Sequence, residues 1–271
     1  MKKQEITIAQ HQRLSDVLTE IPTNVILNKT ITGCGATYSE ILAKRNSIII
    51  EPNLPVIDGK CAKHPDIFGV KEGVTKEEIV AYLKHKTDCG YHKILTTPES
   101  FRKVQEAFEE IEIDIRNSCF LLFDECHKII KDVNHRADIS LPMDFFFQCR
   151  YKALVSATPI EFTDPRFEEQ DFHSITIVPD FNCTKEINLH TTNNLLQTTK
   201  QVLNEMKDAD TPFFLFCNST DTIHALMQQL GVLNESAVFC SDKSVKKLNK
   251  RGFCNVDDVW KPTLMQRYNW L

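Results

Sequence analysis

The chain lacks the marks of several large classes of protein. None of its ten cysteines forms a Cys-x-x-Cys pair, and no Cys/His quartet has zinc-finger spacing, so a structural zinc module has nothing to build on. No apolar run approaches the length of a membrane span, and the N-terminal MKKQEITIAQHQR has no apolar core of signal-peptide type. There is no internal repeat of solenoid length and no low-complexity tract. An excess of positive charge is missing too: Lys+Arg number 32 against 37 Asp+Glu, a formal net charge of -5. That excludes a protein that coats a polyanion by bulk charge, although a local basic groove remains open to it. The cysteines read as reduced, small core residues, several of them inside apolar runs, as Cys119 and Cys217 are. The expectation is a cytoplasmic protein with no membrane partner.

What is present is core material. Hydrophobic residues make up 42% of the 271 and charged residues 25%, with 17 Phe, the balance of an ordinary globular chain. The length fits two domains more naturally than one. Short, continuously apolar runs predict strands at 25–28, 47–50, 93–97, 118–125 and 153–158. Between them, helices are predicted at 37–45, with Ile41 and Leu42 on the apolar face, and at 76–85 and 98–111. Strands of this kind are covered on both faces, which means a parallel sheet between layers of helices. Residues 159–185 are rich in Pro, Asp, Glu and Phe and weakly periodic, as in a linker with some extended structure. Helices at 192–206 and 220–230, with strands at 212–217 and 236–241, then suggest a second, shorter α/β unit. The expected division is a first domain over 1–165, a linker over 166–190 and a partial second domain over 191–271.

Two segments carry chemistry. Between the first strand and its helix lies Thr30-Ile31-Thr32-Gly33-Cys34-Gly35-Ala36-Thr37, comparable with the phosphate-binding loop G-x-x-x-x-G-K-[ST]. In such a loop glycines let the backbone turn so that N–H groups converge on phosphate oxygens, and the helix start adds its positive end. The hydroxyl ligates Mg²⁺ and the lysine neutralises the outer phosphates. Gly33, Gly35 and Thr37 are in place, whereas Thr30 replaces the first glycine and Ala36 replaces the lysine. Alanine leaves the backbone cradle and removes the charge. Lys29, just before the loop, either reaches in as a substitute or is a solvated strand end. Taken alone, the loop equally fits a glycine-rich turn with no ligand.

The second segment is Asp124-Glu125-Cys126-His127, at the end of the apolar run 119–123. Adjacent side chains at a strand end point to opposite sides. One carboxylate is then free to hold Mg²⁺ while the other orients and deprotonates an attacking water, at the sheet edge where open α/β folds bind ligands. An ordinary acidic turn after a core strand is the alternative.

Together these residues resemble a family. Asp124-Glu125-Cys126-His127 is similar to the D-E-x-H box of the superfamily 2 DEAD/DEAH-box helicases, and Thr32-Gly33-Cys34-Gly35 to their T-G-x-G-K-T loop without its lysine. Ser156-Ala157-Thr158 resembles their S-A-T motif. Glu51-Pro52-Asn53 and Thr97-Pro98-Glu99 resemble their two short nucleic-acid-contacting motifs. The motifs come in the right order, each at its expected strand end, between Thr23 and Pro159.

The resemblance implies an α/β fold with a parallel-sheet P-loop (RecA-like) domain followed by a second, partial RecA-like α/β domain. It implies ATP and Mg²⁺ as cofactors, held by Thr32, Gly33, Cys34, Gly35, Ala36 and Thr37, with Thr37 and Asp124 at the metal. Glu125 would be the base, with Asp124 and His127 beside it, the histidine sensing the γ-phosphate. Ser156, Ala157 and Thr158 would couple nucleotide state to nucleic-acid grip. Pro52, Asn53, Thr97, Pro98 and Glu99 would lie along the bound strand, with DNA favoured over RNA.

The second half departs from the pattern. PFFLFCNSTDTIHAL resembles the first strand and helix of the family's second domain, but no G-x-D-x-P-like or Q-x-x-G-R-x-x-R segment follows, and Arg251 and Arg267 stand outside any such motif. A protein partner that completes the second domain is one expectation. A basic cluster (Lys243, Lys246, Lys247, Lys250, Arg251) and the late aromatics Trp260, Tyr268 and Trp270 could touch nucleic acid, or be a solvated face and a docked terminus. The function implied is a helicase-like nucleoside-triphosphate-binding protein acting on nucleic acid. The alternative is a catalytically degenerate module that binds nucleic acid or protein without efficient hydrolysis.

Overall fold

The computed structural model describes residues 1–127, 140–158, 163–209 and 213–233, with 236, 240 and 244. They divide into two compact units, Met1–Thr184 and Lys185–Leu271.

The first unit is a three-layer α/β/α structure. Its strands are β1 (Lys3–Ile8), β2 (Val25–Lys29), β3 (Ser47–Ile50), β4 (Ile67–Val70), β5 (Lys93–Thr96), β6 (Phe120–Phe123), β7 (Tyr151–Ser156) and β8 (His173–Pro179). They form one sheet in the order β1-β8-β2-β7-β6-β3-β5-β4, and every pairing is parallel. The central strands are continuously apolar because both faces are covered: β3 (SIII) and β6 (FLLF) are buried at every position. At one edge, β1 exposes Lys3 and Glu5, charges that discourage pairing with another chain.

Alternate side chains of the strands feed two separate cores. One contains Val25, Leu27, Ile49, Leu122 and Val155 and is covered by α1 (Leu14–Val17), α2 (Ala36–Leu42) and α3 (Leu54–Lys63) through Leu14, Ile41 and Ile57. The other contains Ile26, Ile48, Ile50, Leu121 and Leu154. It is covered by α4 (Lys76–Lys84), α5 (Phe101–Glu110), α7 (Ser140–Gln148) and α8 (Arg166–Glu169), with the short α6 (Ile115–Ser118) beside them. This second core is strongly aromatic. Phe146 is fully buried, with its ring centroid 5.3 Å from that of Phe123, 5.5 Å from Phe147 and 6.0 Å from Phe172.

Helix α2, which follows the glycine turn, is clamped at its far end. Glu40 is buried beneath Arg45 at 2.5 Å, and Arg45 in turn lies 3.5 Å over the Phe120 ring. The buried Lys93 ammonium donates to the carbonyls of Glu40 and Ala43, both at 2.8 Å. These bonds satisfy carbonyls that a helix end leaves without partners. The far end of α2 is thereby fixed to β5, and the Ser47 hydroxyl, which donates to Glu40 Oε1 at 2.6 Å, fixes it to β3.

Several expectations need correction. Residues 166–184, set aside as the greater part of a linker, belong to the first unit and contain α8 and β8, and β8 is inserted between β1 and β2. Strands β1 and β4 were not anticipated. Leu42 is 52% exposed while Ile41 is buried, since successive helical residues turn by about 100° and only one of the two faces the sheet.

Among the described residues of the second unit there are two helices, α9 (Leu195–Asp208) and α10 (Thr220–Leu230), which meet through Leu203, Leu226, Met227 and Leu230. The strand expected at 212–217 is absent over 213–217. Phe214, Phe216 and Cys217 are exposed. Of the strand expected at 236–241, only 236 and 240 are described. The basic residues Lys243, Lys246, Lys247, Lys250 and Arg251, with Arg267 and the late aromatics, lie outside the described residues. Among the described residues, no helix is long and apolar enough to cross a membrane.

The aromatic packing predicts that Phe146→Ala lowers stability by about 3–5 kcal/mol. In urea unfolding this should show as a reduced midpoint with an unchanged slope.

Candidate functional site

Parallel strands place all their carboxyl ends on one edge of the sheet. The glycine turn after β2, Glu51 after β3, Thr97 after β5, the acidic pair after β6 and Ser156 at the end of β7 therefore share that edge. In the sheet, β7 alone separates β2 from β6. At about 4.8 Å per strand, their ends are about 10 Å apart, a gap that side chains can bridge.

Here they do. The Lys29 ammonium, at the end of β2, donates to Asp124 Oδ1 at 2.9 Å and to Glu125 Oε1 at 2.8 Å. The Thr37 hydroxyl donates to the other oxygen of Asp124, Oδ2, and the Glu125 N–H donates to Oδ1 at 2.9 Å. Asp124 is 2% exposed and Lys29 8%. Lys29 is therefore not a solvated strand end. Burial alone would lower its pKa, but the charges of Asp124 and Glu125 and their hydrogen bonds reverse this and hold it above the ordinary lysine value.

The loop itself is open on its outer side. Gly33 and Gly35 have φ of +79° and +87°, in the left-handed region that side-chain-bearing residues rarely adopt. A Cβ at Gly33 would meet nothing within 4 Å. Thr32 is exposed. Cys34 points inward, its carbonyl accepting from Leu14 N–H at 2.8 Å, and burial raises its thiol pKa. The Thr30 hydroxyl donates to the Ile177 carbonyl at 2.6 Å, which ties the loop's start to β8. Ala36 is 2% exposed and packed in the apolar core. The position where the resemblance expects a lysine is thus a core position here. At seven residues, α2 is too short for its dipole to dominate the site.

Glu125 sits at φ +49°, a left-handed conformation that is unusual outside glycine and frequent at functional sites. Its Oε2 is 3.3 Å from His127 Nδ1. That nitrogen is also 3.0 Å from Ser156 Oγ, and Ser156 Oγ accepts from Thr158 N–H at 3.0 Å. A continuous polar chain therefore runs from β2 through the acidic pair and His127 to Ser156 and Thr158. Ala157 lies between the last two, half-buried.

Glu51 belongs to the same neighbourhood, and its importance was not anticipated from the sequence. It is 2% exposed and accepts from the Asn53 N–H at 2.9 Å and the Asn53 side-chain amide at 2.8 Å. Burial first, and then the charge of Asp124, raise its pKa to about 7. In the sequence it stood out only as the first residue of Glu51-Pro52-Asn53, directly after an all-apolar strand.

The residues expected along a nucleic-acid track are only partly on the surface. Pro52 and Asn53 are half-buried and Glu99 is exposed, whereas Thr97 and Pro98 are buried. The Thr97 N–H is directed to the Val70 carbonyl at 3.3 Å, and its hydroxyl oxygen accepts from the Ser100 N–H at 3.3 Å.

The donor set suits a hard cation. Thr37 and Asp124 present oxygens in hydrogen-bond contact with one another, and Mg²⁺ is commonly held by one or two protein oxygens, with water and phosphates supplying the rest. Among the described residues, no three His, Cys, Asp or Glu side chains gather as a metal cage.

No family model and no curated protein matches the chain. Among solved structures, it is similar to the crystal structure of the Pyrococcus furiosus Hef helicase domain at 14% identity and a TM-score of 0.42, over 78% of this chain and 50% of that one. It is also similar to a DEAD box protein from the hyperthermophile Methanococcus jannaschii at 14% identity and a TM-score of 0.43, over 85% of this chain and 66% of that one. The chain thus spans about half to two thirds of the length of these two structures, and neither likeness bears on activity.

Glu51 makes stability depend on pH. Between its unfolded value near 4.5 and its folded value near 7, the folded state holds the proton that the unfolded state has released, so stability falls as pH rises through that window. Glu51→Gln removes the cost. Denaturant unfolding should find the variant more stable than the parent at pH 8, by on the order of 2 kcal/mol, and equally stable at pH 4.

Proposed function

We propose that the chain is a helicase-like nucleoside-triphosphate-binding protein that acts on nucleic acid, with ATP and Mg²⁺ as its ligands. The observation that carries this reading is the contact between Thr37 and Asp124. A hydroxyl from the helix after the glycine turn and a carboxylate from a strand two places away share one hydrogen bond at the sheet's carboxyl edge.

In this reading, backbone N–H groups of residues 33–37 face the phosphates. Thr37 and Asp124 hold the metal, which supplies neutralisation of the phosphate oxygens when bound. Glu125 is the base that orients a water and takes its proton at the carboxylate. His127 relays the state of that carboxylate to Ser156, and Ser156 to Thr158, through the polar chain described above. Nucleic acid is proposed to pass over Pro52, Asn53 and Glu99, with DNA the first substrate to test. The assignment to the cytoplasm, and a protein partner that completes the second unit, belong to the same proposal.

A second reading, a module that binds without efficient hydrolysis, is favoured by the burial of Ala36 in the apolar core. No cation enters from within the loop itself, and transition-state charge then has less to stabilise it.

Titration with ATP separates these possibilities. Saturable binding should require Mg²⁺, and Thr37→Ala should weaken it about tenfold or more, the loss of a hydrogen bond to a charged group. No binding at millimolar Mg·ATP would defeat the proposal. If Mg·ATP binds and a steady-state phosphate-release assay gives the same rate for the parent and Glu125→Gln, the second reading holds instead.

A further inference from the structure

The charges at the carboxyl edge leave one question that the nucleotide-binding reading does not answer: what faces the phosphates where the loop has alanine. Three cations stand around the glycine turn and the start of α2: Lys29, Lys60 and Arg13. Lys60 is half-buried, with its ammonium 5.9 Å from the centre of the Tyr38 ring. Arg13 lies 4.9 Å over the same ring. Neither has a hydrogen bond to Asp124 or Glu125. Lys29 has one to each, and the oxygen pair that holds it includes the carboxylate that also holds Thr37.

We infer that Lys29 is the phosphate-contacting cation of this site, delivered from the end of β2 rather than from inside the loop. The inference rests on the nucleotide-binding reading above and goes beyond it. A buried ammonium is costly unless it is paired, and at rest Lys29 is paired twice. One ammonium against two carboxylates leaves the cluster net negative, which repels a polyphosphate. A divalent cation on Asp124 reverses the balance. It competes directly with Lys29 for that carboxylate, frees the ammonium from at least one of its bonds, and makes the cluster net positive. The four-carbon stem then needs only a small swing, because the ammonium already lies one carboxylate away from the Thr37 hydroxyl. Lys29 therefore acts as the resting occupant of the metal's place and as the loop's missing charge once metal arrives. Ala36 can be a core residue because the charge is supplied from elsewhere.

The test uses the full chain and reads binding. In the parent, an ATP derivative carrying an acyl group on its terminal phosphate, added with Mg²⁺, should acylate Lys29. The ammonium first gives its proton to water; the amine then attacks the acyl carbon, the acyl–oxygen bond to the terminal phosphate breaks and ATP leaves, and peptide mapping locates the label. Labelling should be blocked by excess Mg·ATP. Separately, Lys29→Met should weaken Mg·AMP-PNP binding roughly 10- to 100-fold, while Lys29→Arg, which keeps the charge, stays within a few-fold of the parent. Circular dichroism and thermal unfolding establish that each variant is folded, and the labelling arm needs no variant at all. Blockable label on Lys60 alone, or equal affinity in folded Lys29→Met, overturns the inference and leaves the nucleotide site standing. No binding of any nucleotide by the parent overturns both.

Discussion

A carboxylate with 2% of its surface in water must have partners, and Asp124 has them from three directions: Lys29 from β2, Thr37 from α2 and the Glu125 N–H from its own turn. The glycine turn and the acidic tip are joined through this one buried group. Removing Lys29 leaves the Asp124 carboxylate without a countercharge in a low-dielectric setting, where such a group costs several kcal/mol. The cluster thus constrains where β2 and β6 end relative to one another, and it makes the site's electrostatics depend on what binds there.

The sheet makes this cluster possible. An all-parallel arrangement puts every strand's carboxyl end on one edge, and the order of strands decides which ends are within side-chain reach. Helix α2 is held at the far end by Lys93 and by the buried Glu40–Arg45 pair, so Thr37 meets Asp124 from a fixed element rather than from a loose loop. The polar chain through His127 to Ser156 and Thr158 crosses the end of β7, the strand that separates β2 from β6. Strain at Glu125, with φ of +49°, is stored where this chain turns.

Much of the first unit was legible from local pattern. Runs such as Ser47–Ile50 and Phe120–Phe123 are apolar throughout because both faces are covered, and a continuous run is a strong signal when it is short and flanked by polar residues. The helix Thr220–Leu230 carried a Ser cap before it and a glycine after it. Strand β8 was missed because it sits inside a segment rich in Pro, Asp and Glu, although Ser174, Ile175, Thr176 and Ile177 alternate polar and apolar. Strand β1 was missed for the opposite reason, since an edge strand shows mostly polar side chains.

By itself, the order of residues determined that a glycine turn follows one buried strand, that an acid pair follows another, and that the loop carries alanine in place of lysine. These are local facts, set by composition and spacing over a few residues. Only the tertiary structure decided that Lys29, Thr37 and Asp124 meet, that Ala36 lies in the core, and that Glu51 is buried beside the acids. Those outcomes depend on which strands become neighbours, and a strand's neighbours are chosen by packing across the whole sheet rather than by its own sequence.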